Sequence, residues 1–291
     1  MKERQYQSPG GLFIDKFGVP RDSDDVVRYA DFLRQEAGLS DQPPVDLTKI
    51  FGHFGIRSRP APLVDQQGLS DGLLGFMLIK DGDPAVRRRF SQAHELIEFL
   101  FHEFKTLPEW GRSYYSTHPL AKEKLCQRGA AKLLMPSSSF APIMLEQGVS
   151  LESASVLAGM YETSLLATLN HMLTESKDNF LLVVWRYGLK PKQAVQQQAG
   201  LFGDSPVALP QKKLRIWWPP VTSAGANNGF IPLHQSVHDG SVIVKAYETG
   251  QLHYGKERFQ LKGIQGDYQV QAKRITIGDE VCVLSLLQCS D

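Results

Sequence analysis

Residues 87–104, RRRFSQAHELIEFLFHEF, place the tightest limit on how this chain of 291 residues can fold. Phe90, Ala93, Ile97 and Phe101 recur at the spacing of a buried helical stripe. Leu96, Phe99 and Leu100 carry the apolar surface almost all the way round, so the helix must run through the interior of a fold. Yet His94 and Glu98 lie within that stripe, and Glu95 sits beside them. One helical turn separates His94 from Glu98, about 40° in angle and about 6 Å along the axis, so one metal ion can touch both. A buried carboxylate without a partner costs several kcal/mol, so Glu98 requires a cation, a hydrogen-bonding partner or a proton.

A second strong helix is expected over 120–135, stopped by Pro136. Ala130 and Leu134 extend a stripe that includes Glu123, which places another carboxylate on the inward face. Two helices that both turn acidic or imidazole groups inward suggest a divalent metal site made of His94, Glu98 and Glu123. The metallopeptidase signature on a helix is H-E-x-x-H, with the glutamate as general base. Here Glu95 keeps the position of the base, and the fifth place is Glu98. His102 cannot substitute, because eight residues of straight helix span about 12 Å and zinc bonds are near 2.1 Å. Cys126 shares the face of Glu123 and is read as a small buried hydrophobe. His102 is read as a solvated residue at the helix end, suited to its negative pole. Arg87, Arg88 and Arg89 mark an exposed helix start, and one of them, or Lys132, could instead pair with Glu98.

With Lys plus Arg at 32 and Asp plus Glu at 31, the net charge of +1 excludes nucleic-acid binding through bulk charge. Three cysteines are too few and too scattered for a disulfide framework and suit a reducing cytosol. No apolar run approaches the roughly 20 residues of a membrane span, and the start of the chain lacks a secretory apolar core. A soluble cytoplasmic protein without a membrane partner is the expectation.

The remaining organisation points to an α+β chain. Residues 1–22 read as a polar tail. Residues 23–136 read as the domain with the inward-facing site, with helices at 24–38 and 46–54, a short strand at 56–58, a strand at 72–80 and a loop at 108–119. Two short helices at 150–159 and 163–173 resemble a helix-turn-helix within a segment 137–176. The second of them has no Arg or Lys between Glu162 and Met172, which weakens a DNA-binding reading. Residues 177–291 read as β-rich, with strands at 180–187, 214–218, 241–247, 258–262, 268–277 and 280–287 around a linker at 188–210. Trp217 and Trp218 beside Lys212, Lys213 and Arg215 could stack on single-stranded nucleic acid, but buried strand aromatics are the plainer reading.

Taken in order, RRRFSQAHELIEFLF and EKLCQRGAAKLLMP resemble the ImmA/IrrE family of metallopeptidases, as does the upstream PPVDLTKIFGHFGIRS. The resemblance covers about residues 24–175. It implies a gluzincin-like helical peptidase domain with a small sheet, followed by a helix-turn-helix and a sensor-like C-terminal domain. It also implies regulated cleavage of a helix-turn-helix repressor in stress, prophage or defence control. By position, Glu95 is the general base and His94, Glu98 and Glu123 are the ligands of one divalent ion, zinc first, with manganese or iron as alternatives. The strand that would pair with substrate maps to 72–80 and its residues Leu74, Gly75, Phe76 and Met77. Tyr114, Tyr115 and His118 are candidates to steady the oxyanion. The sequence departs from the family at Glu98 in place of histidine, at Cys126-Gln127 in place of Ala-Asn, and at Gly129 in place of phenylalanine. These departures define the alternative of an inactive pseudopeptidase that holds a repressor without cutting it. The C-terminal part could meet a small-molecule signal.

Overall fold

The structure, a computed structural model, describes residues 5–200, 211–223 and 229–289. The chain is α+β and forms two compact units: residues 1–147 with 155–168, and residues 148–154 with 169–291.

The first unit opens with α1 (Pro9–Phe17), α2 (Ser23–Glu36) and α3 (Leu47–Phe54). The expected polar tail at 1–22 thus contains a helix. Ser8 caps it by accepting from the Gly11 N–H at 3.1 Å, and Pro9 stands at its first position, where a missing N–H is harmless. Phe13 anchors it, fully buried, with its ring edge-on to Tyr29 at 5.2 Å and Phe32 at 5.6 Å. Three short strands follow, β1 (Arg57–Ala61), β2 (Gly68–Asp71) and β3 (Phe76–Lys80), in the order β1-β3-β2.

The strand expected at 72–80 is therefore a tight turn followed by β3. Asp71 Oδ1 accepts the N–H groups of Leu73 and Leu74 at 2.9 and 3.0 Å, and Gly75 takes φ +68°. This Asx turn folds β2 back on β3. It places Leu74 and Gly75 in the turn, and Phe76 and Met77 in the central strand, paired on one side with β1 and on the other with β2. No free edge remains on β3, so those four residues do not form a substrate-pairing edge.

The long helix α4 (Ala85–Phe104) runs under this sheet. A 3-10 turn at Pro108–Arg112 and the short α5 (Tyr114–Thr117) occupy the expected loop at 108–119. Next come α6 (Pro119–Leu134) and α7 (Ser137–Gln147), the latter an addition to the expected helices and with Pro142 inside it. Gly129 brings α6 close to its neighbours, since a Cβ there would lie 2.8 Å from Val26 and 3.0 Å from Ile97. A phenylalanine at that position has no room in this packing.

The pair α8 (Leu151–Tyr161) and α9 (Leu165–Glu175) forms as expected. It does not stand as a separate body, because 155–168 cluster with the first unit and the flanking residues with the second. The second unit contains β4 (Phe180–Gly188), α10 (Pro191–Gly200), β5 (Lys213–Ile216), β6 (Val221–Thr222), α11 (Val242–Thr249), β7 (His253–Leu261), β8 (Ile264–Ile277) and β9 (Glu280–Cys289). Its sheet has the order β5-β4-β9-β8-β7, with β6 on β4. Trp185 is fully buried at its centre and donates its indole N–H to Ser285 Oγ at 2.7 Å.

Two expectations there change. The strand at 241–247 is the helix α11, because Ser241 caps the Ile243 N–H at 3.1 Å and Gly250 ends the helix in the left-handed region. The linker at 188–210 contains α10, and its residues 201–210 lie outside the described part.

Candidate metal centre

The site is built where α4 lies between β2 and α6. Three residues of α4 at four-residue steps, His94, Glu98 and His102, form one row. Glu98 is its hub. Lys122 Nζ on α6 donates to both carboxylate oxygens, at 2.5 and 2.6 Å. His94 Nε2 stands 3.8 Å from one oxygen and His102 Nε2 4.0 Å from the other. Burial by itself would raise the Glu98 carboxyl, but the hydrogen bonds and charge of Lys122 hold it below its ordinary value. The cation that the sequence required for Glu98 is thus Lys122 and none of the four candidates considered. Lys132 instead donates to Ser137 Oγ at 2.5 Å. The arginines are engaged at the helix start, Arg87 with Asp83 at 3.6 Å, Arg88 with backbone carbonyls, and Arg89 with the Val45 carbonyl and Glu162.

His102 is not a solvated helix end. It is half-buried, and its Nδ1 accepts the N–H of Gly72 at 2.9 Å. That bond fixes the tautomer of the neutral ring, leaving the proton on Nε2 toward Glu98. Burial holds the ring below its ordinary pKa. His102 therefore ties the β2–β3 turn to the hub carboxylate.

Glu95 lies on the adjoining row beneath β2 and is almost fully buried. Ser70 Oγ donates to its Oε2 at 2.5 Å. Gly68 passes so close that a Cβ there would stand 2.9 Å from the Glu95 carboxyl carbon, so any larger residue would have to push the carboxylate aside. Burial raises the Glu95 carboxyl and the Ser70 bond opposes this, with a net upward shift. A raised carboxyl suits a group that must take and return a proton.

Glu123 is less inward than its stripe suggested: its side chain is 45% exposed. It stands 3.6 Å from His94 Nε2 and accepts from Gln127 Nε2 at 3.1 Å. Cys126 is fully buried as expected, and its sulfur, His94 and Glu98 bring ligand atoms within 4.8 Å of one another. The donor chemistry of imidazole, carboxylate and thiol fits a divalent ion. An ion on Glu98 would take the place now held by the Lys122 ammonium.

The three oxyanion candidates diverge. Tyr115 is buried and donates its hydroxyl to the Arg21 carbonyl at 2.9 Å, which removes it from that role. Tyr114 is exposed and stacks on His118 at 3.9 Å. Among the described residues, none of the three hydrogen-bonds to His94, Glu95, Glu98 or Glu123. In the second unit, Trp217 and Trp218 are half-buried and stack on each other at 4.8 Å, with the Arg186 guanidinium 4.7 Å over Trp217. The two tryptophans lie just past the end of β5, so they are not the buried strand aromatics that were expected.

A helix bearing H-E-x-x-E beneath a small sheet, with a second helix closing the site, defines a metallopeptidase-like domain. Residues 51–174 match the Peptidase M78 family, described as the IrrE N-terminal-like domain. Comparison with curated proteins gave no match. Among solved structures, a Mycobacterium tuberculosis transcriptional regulator is similar at a TM-score of 0.56 and 12% identity, over 97% of this chain and 80% of that one. At that identity the likeness shows the fold. No helix among the described residues is long and apolar enough to cross a membrane.

Proposed function

We propose that the chain is a metal-dependent endopeptidase acting on a specific protein partner, a helix-turn-helix repressor, in stress, prophage or defence regulation. The observation that carries this reading is the convergence of His94, Glu98 and a further donor from α6 next to a buried Glu95 of raised pKa. His94 and Glu98 are the residues that would hold the ion, zinc first, with manganese or iron as alternatives. When bound, it would polarise the scissile carbonyl and activate a water. Glu95, held by Ser70, would take the proton from the attacking water and return it to the leaving amine.

The partner's backbone has a place to lie. Lys80 N–H donates to the Gln67 carbonyl at 3.0 Å, which makes positions 67, 69 and 71 the ones bonded to β3. The backbone groups of Gly68 and Ser70 therefore point off the sheet at its free edge, directly over Glu95. An extended segment added there would lie along the site. This edge replaces the one expected at 74–77.

One specific observation favours a second reading. Lys122 already neutralises Glu98 with two short hydrogen bonds, so the domain is complete without an ion. On that reading it is a pseudopeptidase that grips its partner along β2 and does not cut. The deciding experiment is elemental analysis of the purified protein with a cleavage assay on the partner. About one divalent ion per chain, with cleavage lost in Glu95→Gln while the ion stays, supports the peptidase. A folded protein that takes up no zinc or manganese and captures an uncut partner overturns it in favour of the pseudopeptidase. Cytoplasmic location follows from the same reading, since a repressor acts on DNA inside the cell.

A further inference from the structure

We propose that the third protein ligand is Cys126 rather than Glu123, so that the ion sits in a buried His94–Glu98–Cys126 set. The inference rests on the metal-dependent reading above and names its donor. The argument comes from the two rows of α6. Lys122 and Cys126, four residues apart, share one face, and Lys122 reaches Glu98 at 2.5 and 2.6 Å. Glu123 and Gln127 share the next face and bond to each other at 3.1 Å, with Glu123 45% exposed. The face turned to the hub is therefore the one that carries the sulfur, and Cys126 has no exposed surface.

Distances agree. The ligand atoms of His94, Glu98 and Cys126 lie within 4.8 Å of one another. Bonds of about 2.0–2.3 Å place tetrahedral ligands roughly 3.3–3.8 Å apart, so closing the set brings any pair together by at most about 1–1.5 Å. Glu123 approaches His94 but does not complete a mutual set with Glu98 among the described residues.

Coordination releases the Cys126 thiol proton to solvent and forms one metal–sulfur bond. Thiolate and carboxylate together then cancel the ion's two positive charges, and Lys122 withdraws from Glu98 toward solvent, where its side chain is already 16% exposed. A thiolate in the set also favours zinc over manganese or magnesium more than a second carboxylate in its place would. Glu123 remains at the rim as a positioning carboxylate on the His94 ring.

The test uses cobalt(II) added to the chelator-stripped full-length protein, with binding counted by elemental analysis. Wild type and Glu123→Gln should show a near-ultraviolet thiolate-to-cobalt charge-transfer band, and Cys126→Ser should lack it. Zinc affinity should fall more than about 100-fold in Cys126→Ser, beyond the loss expected from an outer partner of a ligand. Cobalt bound at one per chain with no band, or a band that survives Cys126→Ser, overturns the assignment and leaves the metal reading standing. A folded wild type that binds no cobalt overturns both.

Discussion

Replacing Lys122 with methionine keeps the length of the stem and removes the ammonium. Its Nζ lies 2.5 and 2.6 Å from the two Glu98 oxygens, with side-chain exposures of 16% and 10%. At an effective dielectric near 20, a pair at this separation is worth about 6 kcal/mol before desolvation, which consumes most of it. Removing one partner of a buried pair is costlier than its net contribution, about 3–5 kcal/mol, because the other charge stays behind. His94 at 3.8 Å and His102 at 4.0 Å can take up part of the stranded charge. The expected loss for Lys122→Met is therefore about 2–4 kcal/mol. In a Glu98→Gln background no charge is stranded, and the same change should cost under about 1 kcal/mol. Native-state hydrogen exchange of the α4 and α6 amides reads this locally, without assuming that both units unfold together. If the ion takes the place of Lys122 as proposed, zinc at 100 times its dissociation constant should restore about 2.7 kcal/mol to the single variant. Equal costs in the two backgrounds would show that Lys122 stabilises the fold by packing alone and would refute the hub.

Three further outcomes are expected. Gly68→Ala drives a methyl group into the Glu95 carboxylate, 2.9 Å from its carboxyl carbon, and should cost about 1–3 kcal/mol in chemical unfolding and disturb the site. Tyr115→Phe loses the hydroxyl bond to the Arg21 carbonyl, about 1 kcal/mol, and should leave any cleavage rate unchanged; a large rate loss would restore Tyr115 as an oxyanion donor. Burial raises the Tyr6 phenol from 10.0 to about 12, and its hydroxyl donates to the Gly72 carbonyl. A folded pKa above the unfolded one gives stability that is present below pH 10 and lost as pH rises through about 12. Alkaline unfolding of Tyr6→Phe should show a smaller decline, since the other tyrosines with raised pKa keep theirs.

The sequence made the two inward-facing helices legible because His94, Glu95 and Glu98 interrupt a strong apolar stripe, and such an interruption demands a partner. It did not reveal which partner. Lys122 precedes Glu123 by one residue, about 100° round α6, so it lies off the stripe that Glu123 shares with Ala130 and Leu134. Its distance from His94 along the helix excludes His102 as a ligand of the same ion. That argument holds for one ion but not for a hydrogen bond to the β2–β3 turn, which no helix periodicity contains. The same gap explains the strand at 72–80. Its apolar run GLLGFMLIK reads as continuous, whereas Asp71 and Gly75 impose a reversal that makes the edge over Glu95 belong to β2. In the second unit, the β-branched run Val242-Ile243-Val244 reads as a strand, but Ser241 and Gly250 supply both caps of a helix.

The departures from the family pattern acquire a common cause once α4 and α6 are seen together. A carboxylate at position 98 brings in negative charge that a second histidine would not. In the same packing layer the chain carries Lys122, whose ammonium answers that charge, and Cys126, a neutral donor until an ion displaces its proton. Gly129 then lets α6 approach α4 closely enough for both to reach Glu98, because the van der Waals space beside Ile97 is already full. Substituting only Glu98 by histidine should therefore not restore an ordinary site. Lys122 would lose the carboxylate that neutralises it, and until its ammonium moved out toward solvent it would oppose the ion that the change was meant to recruit.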